Sequence, residues 1–206
     1  MPNLEQWHDI WRGLGVTNGN VPLFYELLGR YSEAHRSYHT AQHLDECLAW
    51  IPHVQPLAHH PHEIALALWF HDVIYDAKRQ DNELRSAEWA KAEVLRAGLP
   101  DDSANRVYEL VMVTRHSAVP VETDAKILVD IDLSILGALT ERFDEYERQV
   151  RSEYAWAPED LFRQTRKKIL QEFLARPRIF NMAYFFDRYE ISARANLQRS
   201  INALRT

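Results

Sequence analysis

The chain has 206 residues, of which 46% are hydrophobic and 26% charged, a balance that excludes disordered and fibrous classes and provides enough material for a sizeable core. A formal net charge of −6 offers no basic footprint for nucleic acid or for an anionic membrane surface. The single cysteine, Cys47, forbids an internal disulfide and fits a reducing compartment.

Only 6 glycines and 9 prolines occur, and apolar residues recur at three and four positions almost throughout, so the expected fold is all-α. One domain is expected over residues 1–206. Leu4, Trp7, Ile10, Trp11 and Leu14 make a first amphipathic helix. Pro22 opens a second, with Leu23, Phe24, Leu27, Leu28 and Tyr31 as its inner stripe. A third follows Tyr38, carrying His39, His43, Leu44, Cys47, Leu48 and Ile51 to Pro52. Residues 52–62, with His53, His59, His60 and His62, read as a solvated loop. A central helix from His62 to Tyr75 is apolar on nearly every side and is expected to be buried. Asp81 or Asn82 caps a long helix to Gly98, and another runs from Ala104 to about Thr114. Asp124 starts the helix that carries Asp130 and Asp132. The remainder reads as helices at roughly 140–156, 159–175, 178–185 and 188–205. The arginines of the last, Arg188, Arg194 and Arg199, form a solvated face. The N-terminus has no basic region followed by an apolar run, and no stretch approaches ~18 uninterrupted apolar residues, so a soluble cytoplasmic protein is expected.

Three segments break the apolar pattern. In Ala67-Leu68-Trp69-Phe70-His71-Asp72-Val73-Ile74-Tyr75 an imidazole and a carboxylate follow directly on Leu, Trp and Phe. Burying either group unpaired costs several kcal/mol, so both need partners. Upstream, Arg36-Ser37-Tyr38-His39-Thr40-Ala41-Gln42-His43 spaces two histidines i, i+4, on one face of a helix drawn through them. Downstream, Val129-Asp130-Ile131-Asp132-Leu133-Ser134 places carboxylates in an apolar run. A His, a His-Asp and an Asp supply nitrogen and oxygen ligands from three segments, a set that suits a divalent metal. His71 and Asp72 lie ~100° apart on an ideal helix and reach one ion lying across that arc. The same ~100° step puts Asp132 in the stripe of Leu128, Ile131, Ile135 and Leu139 and points Asp130 nearly opposite. Asp132 is thus the favoured last ligand, with Asp130 behind it, orienting a ligating histidine.

The order His43, His71-Asp72, Asp132 resembles the HD superfamily of metal-dependent phosphohydrolases, and the words RSYHTAQHL, LALWFHDVIYD, DNELRSA and DIDLSILG look like one branch of it. The motifs cover about residues 30–140. The resemblance implies an HD-like helical bundle with extra C-terminal helices. Its metal ligands are then His43, His71, Asp72 and Asp132, with His43 preferred to His39 because the later histidine of the Tyr-His-x-x-x-His word is the family's ligand. It further implies hydrolysis of a nucleotide or other small phosphorylated metabolite by a water activated on one divalent ion (Mn, Mg, Fe, Zn, Ni or Co), with a second ion allowed for. Where relatives often carry Asn after the first histidine, this chain has Thr40.

The remaining candidates follow from chemistry. His39 is placed to protonate a leaving oxygen, and Arg36 offers a planar fork for phosphate. Glu83 acts as a base or water-orienter, or is an ordinary first-turn glutamate. Lys78, Arg79 and Asn82 are positioned for substrate phosphates, and His116 for the metal or a second ion. No phosphate-binding Gly-x-x-x-x-Gly-Lys-Ser/Thr loop occurs, so a nucleotide here is substrate rather than fuel. The alternatives are a metal-containing module that senses a nucleotide without turnover and, behind it, a di-iron oxygenase. A homodimer is compatible with the sequence.

Overall fold

The computed structural model describes residues 1–204, and those residues are all-α, with no strand among them. The chain, expected as one domain, divides by its contacts into two compact units, Met1–Val129 and Asp130–Thr206. The first contains α1 (Leu4–Gly13), α2 (Val21–Arg30), α3 (Ala41–Leu48), α4 (Ile51–Val54), α5 (Pro61–Phe70), α6 (Asn82–Arg96) and α7 (Asp101–Met112). Helix α8 (Thr123–Asp132) carries the chain across the division. The second unit continues with α9 (Thr140–Glu153), α10 (Glu159–Ala175) and α11 (Ala183–Ala203). No helix among the described residues is long and apolar enough to cross a membrane.

Helix α5 is the axis of the first unit. Every residue from Glu63 to Phe70 is buried, as its all-round apolar sequence requires. Trp69 sits in an aromatic cluster, its ring centroid 5.0 Å from Trp7 and 5.4 Å from Phe24. The one charge in the helix, Glu63, is held by both arms of Arg106 on α7, each at 2.7 Å, which compensates its burial. At the N-terminal end of α5 the Asp124 carboxylate accepts the backbone N–H groups of His59 and His60, both at 2.8 Å. Asp124 thus holds the start of a helix distant in sequence, as well as standing in the first turn of its own.

Several boundaries differ from expectation. Residues 52–62 are not all loop: α4 and a 3₁₀ turn over Gln55–Leu57 occupy part of them. Helix α5 stops at Phe70 rather than Tyr75, and the expected helices 178–185 and 188–205 are one, α11. The chain stays out of a helix just past Pro177, where buried carboxylates satisfy its N–H groups. Glu190 accepts from Ile179 and Phe180, and Asp130 accepts from Asn181 (backbone and side chain, 2.8 Å each) and Met182 (2.7 Å). Asp130, expected to orient a histidine, is therefore the strap that precedes α11. Burial pushes its pKa up to about 6 even against those donors.

Asp130→Ala leaves these N–H groups without their acceptor and lowers stability by about 2–3 kcal/mol, read from the midpoint of denaturant unfolding. The polar face expected on α11 is also committed. Arg194 donates to the carbonyls of Leu174, Arg176 and Pro177 and so satisfies the end of α10. Gly137, the last residue of the DIDLSILG word, sits where an added Cβ would come within 2.5 Å of Tyr189 Cβ, so only glycine fits beneath α11.

Candidate metal centre

His71 and Asp72 stand on the turn that closes α5, not inside the helix as expected. The turn is tied down carbonyl by carbonyl. Leu68 O accepts from His71 Nδ1 at 2.7 Å, Trp69 O from the Tyr31 hydroxyl at 3.2 Å, and Phe70 O from Val73 N at 3.1 Å. Beyond the turn, Ile74 N donates to Ser86 Oγ, and Asp76 and Asn82 exchange two hydrogen bonds that staple the following loop to the start of α6. Asn82, expected to meet substrate, is occupied by that staple. Glu83 is half-buried in the first turn of α6.

His43 is buried on α3, and the helix begins later than expected. Thr40 is its N-cap, the hydroxyl accepting from Gln42 N, so His39 lies outside the helix and the two histidines do not share a helical face. Thr40 therefore does the work of a cap. The His39 ring stacks on Tyr75 with centroids 4.1 Å apart, and 6.2 Å from that of His43.

Arg36 differs most from expectation. Its side chain is wholly buried, and its guanidinium donates to the carbonyls of His39 (3.1 Å), Asp72 (2.6 Å) and Val73 (2.9 Å) and to the Glu33 carboxylate. No N–H is left over to grip a phosphate. Arg36 instead pins the segment before α3 to the turn after α5. Arg36→Met is expected to weaken metal binding ~10- to 100-fold, as loss of a group that orients ligands does, with competition against a chromophoric chelator as the measurement.

The pinned segments bring three polar groups together. His43 Nε2 lies 3.2 Å from His71 Nε2, and the Asp72 carboxylate approaches His71 Nε2 at 2.9 Å and His43 Nε2 at 3.6 Å. Both imidazoles are buried, at 2% and 1% exposure. A carbonyl only accepts, so the contact with Leu68 O puts the neutral-ring proton of His71 on Nδ1 and leaves Nε2 with a lone pair. That lone pair faces a carboxylate oxygen and a second imidazole nitrogen. Three electron-rich atoms at these separations repel unless a cation, proton or metal, stands among them. Edges of 2.9–3.6 Å match ligand atoms that share a first-row ion at ~2.0–2.2 Å. Burial opposes ionisation of Asp72; where the cation is a proton on His71 Nε2, the charges of His71, His39 and His43 and the hydrogen bond that His71 then donates hold the carboxyl well below the usual range.

No family model, curated protein or solved structure matches this chain. The donor atoms themselves therefore carry the argument. They include one that sequence reasoning passed over: Cys47, buried on α3 one turn after His43, forms with His43 and His71 a group whose ligand atoms lie within 4.8 Å of one another. The signal was present as His-x-x-x-Cys on one helical face. This buried group could hold a metal ion.

Asp132 is the last residue of α8, in the second unit. Arg79 is engaged by Asp81 through two short contacts of 2.7 and 2.6 Å, and the Lys78 backbone N–H is bound by Asp76. His116 closes a 3₁₀ turn in the left-handed region at φ 52° and is not part of the buried group.

Proposed function

We propose that this protein is a metal-dependent phosphohydrolase of the HD type, acting on a nucleotide or another small phosphorylated metabolite. The observation that carries the proposal is the His71 Nε2 lone pair, fixed by Leu68 O and facing the Asp72 carboxylate and the His43 imidazole in a buried site. The phosphohydrolase part rests on the order of the sequence words.

His43, His71 and Asp72 would hold a divalent ion, which when bound would acidify a water and neutralise phosphoryl oxygens. The chain's own residues do the rest. His71 keeps its Nδ1 proton on Leu68 O and offers Nε2 as a ligand. Arg36 holds the carbonyls of His39 and Asp72, so that the proton donor and the ligand turn keep one register. His39, adjacent to this register, delivers a proton to the leaving oxygen.

One observation favours a second reading, a metal-containing module that binds a nucleotide without turning it over: Arg36 is spent on carbonyls and Arg79 is engaged by Asp81, which leaves fewer cations for phosphate than the sequence promised. A screen for phosphate release over nucleotides and sugar phosphates, run with Mn²⁺, Co²⁺ and Zn²⁺, separates the two. Turnover that disappears in His71→Ala supports the hydrolase. Nucleotide binding with no release under any ion supports the module.

A further inference from the structure

We infer that the thiolate of Cys47 is a ligand of the ion held by His43, His71 and Asp72, and that the site therefore takes a thiophilic first-row ion such as zinc, iron or cobalt in preference to magnesium. This rests on the ion-binding reading above and deepens it. Cys47 follows His43 by four residues on α3, so both side chains leave the helix on one face. Its Sγ lies 3.8 Å from His43 Nε2, within the ~4.3 Å that a metal bonded to nitrogen at ~2.0 Å and to sulfur at ~2.3 Å can span. Cys47 is 2% exposed and belongs to the same buried group as the two imidazoles.

A buried cysteine is commonly a small apolar filler. A filler has no reason to stand among ligand nitrogens, whereas a soft donor there decides which ion the site retains. Carboxylate and water suit magnesium, imidazole suits zinc, iron and cobalt, and thiolate turns the balance further toward the softer ions. On ligation the S–H bond breaks and its proton passes to solvent. The sulfur electron pair forms the bond to the ion, with no change of oxidation state.

The test uses the full-length, tag-free chain, stripped with a chelator and titrated with Co²⁺, with absorption and bound metal measured together. The wild-type protein is expected to bind Co²⁺ with a thiolate-to-metal charge-transfer band in the near ultraviolet. Cys47→Ser is expected to bind Co²⁺ without that band, and its preference for Zn²⁺ over Mg²⁺ to fall by at least ~10-fold. Co²⁺ bound by the wild type with no such band overturns the inference while leaving the ion site standing. Failure of the wild type to bind Co²⁺ or Zn²⁺ at all overturns both. The wild-type spectrum decides the matter even if Cys47→Ser does not fold.

Discussion

Replacing His71 by Ala is expected to abolish stoichiometric metal binding and, with it, phosphate release, a loss of at least ~10²-fold in each. The imidazole cannot be spared, because its Nε2 is the point at which the Asp72 carboxylate and His43 converge, at 2.9 and 3.2 Å. Without it, the buried His43 imidazole and the Asp72 carboxylate face a gap. Stability should follow. A protein kept at free ion ~100 times its dissociation constant loses about 2.7 kcal/mol on chelation, a fall of several degrees in melting temperature. The variant should melt at the same temperature with and without chelator. Differential scanning calorimetry with metal analysis reads both effects. A His71→Ala protein that retains its ion would remove His71 from the ligand set.

His39→Ala is expected to leave the ion in place and to lower turnover by ~10²- to 10⁴-fold, the usual contribution of a positioned acid. His39 precedes the helix that carries His43, its carbonyl is held by Arg36, and its ring is stacked on Tyr75. Its position is therefore set independently of the ligand cluster, while its charge still helps to depress the pKa of Asp72. The loss should shrink for substrates whose leaving group needs little protonation. Comparing an alkyl with a nitrophenyl phosphate ester in the variant, with bound metal measured alongside, is the check. Loss of the ion would make His39 a ligand, and full turnover on the poor leaving group would remove it from the chemistry.

Both predictions draw on residues that were legible in sequence, and the reasons are local. Helix α5 announces its burial because its apolar residues encircle it, and a polar pair placed directly after Trp69-Phe70 demands partners wherever the helix ends. What sequence hid are long-range backbone acceptors. Arg36 looks like a phosphate fork until its partners prove to be carbonyls 36 and 37 residues away, and Asp130 looks like a ligand neighbour until it meets N–H groups 51 and 52 residues on. Neither partner has a side-chain signature to read. Thr40 was ambiguous for a different reason: a threonine between two histidines serves equally within a helix or as its cap. Only the extended backbone there, at φ −114° and ψ 178°, decides for the cap.

The central claim is that the cation among His43, His71 and Asp72 is a metal ion and not a proton. Metal content of the tag-free protein, measured by inductively coupled plasma mass spectrometry after dialysis against metal-free buffer, tests it most directly. About one tightly held first-row ion per chain in the wild type, and none in His71→Ala, is the result expected. A wild-type protein that emerges metal-free, takes up no ion when Mn²⁺, Co²⁺ or Zn²⁺ is added, and melts unchanged with chelator would mean that a proton on His71 balances the Asp72 carboxylate, and would contradict the account.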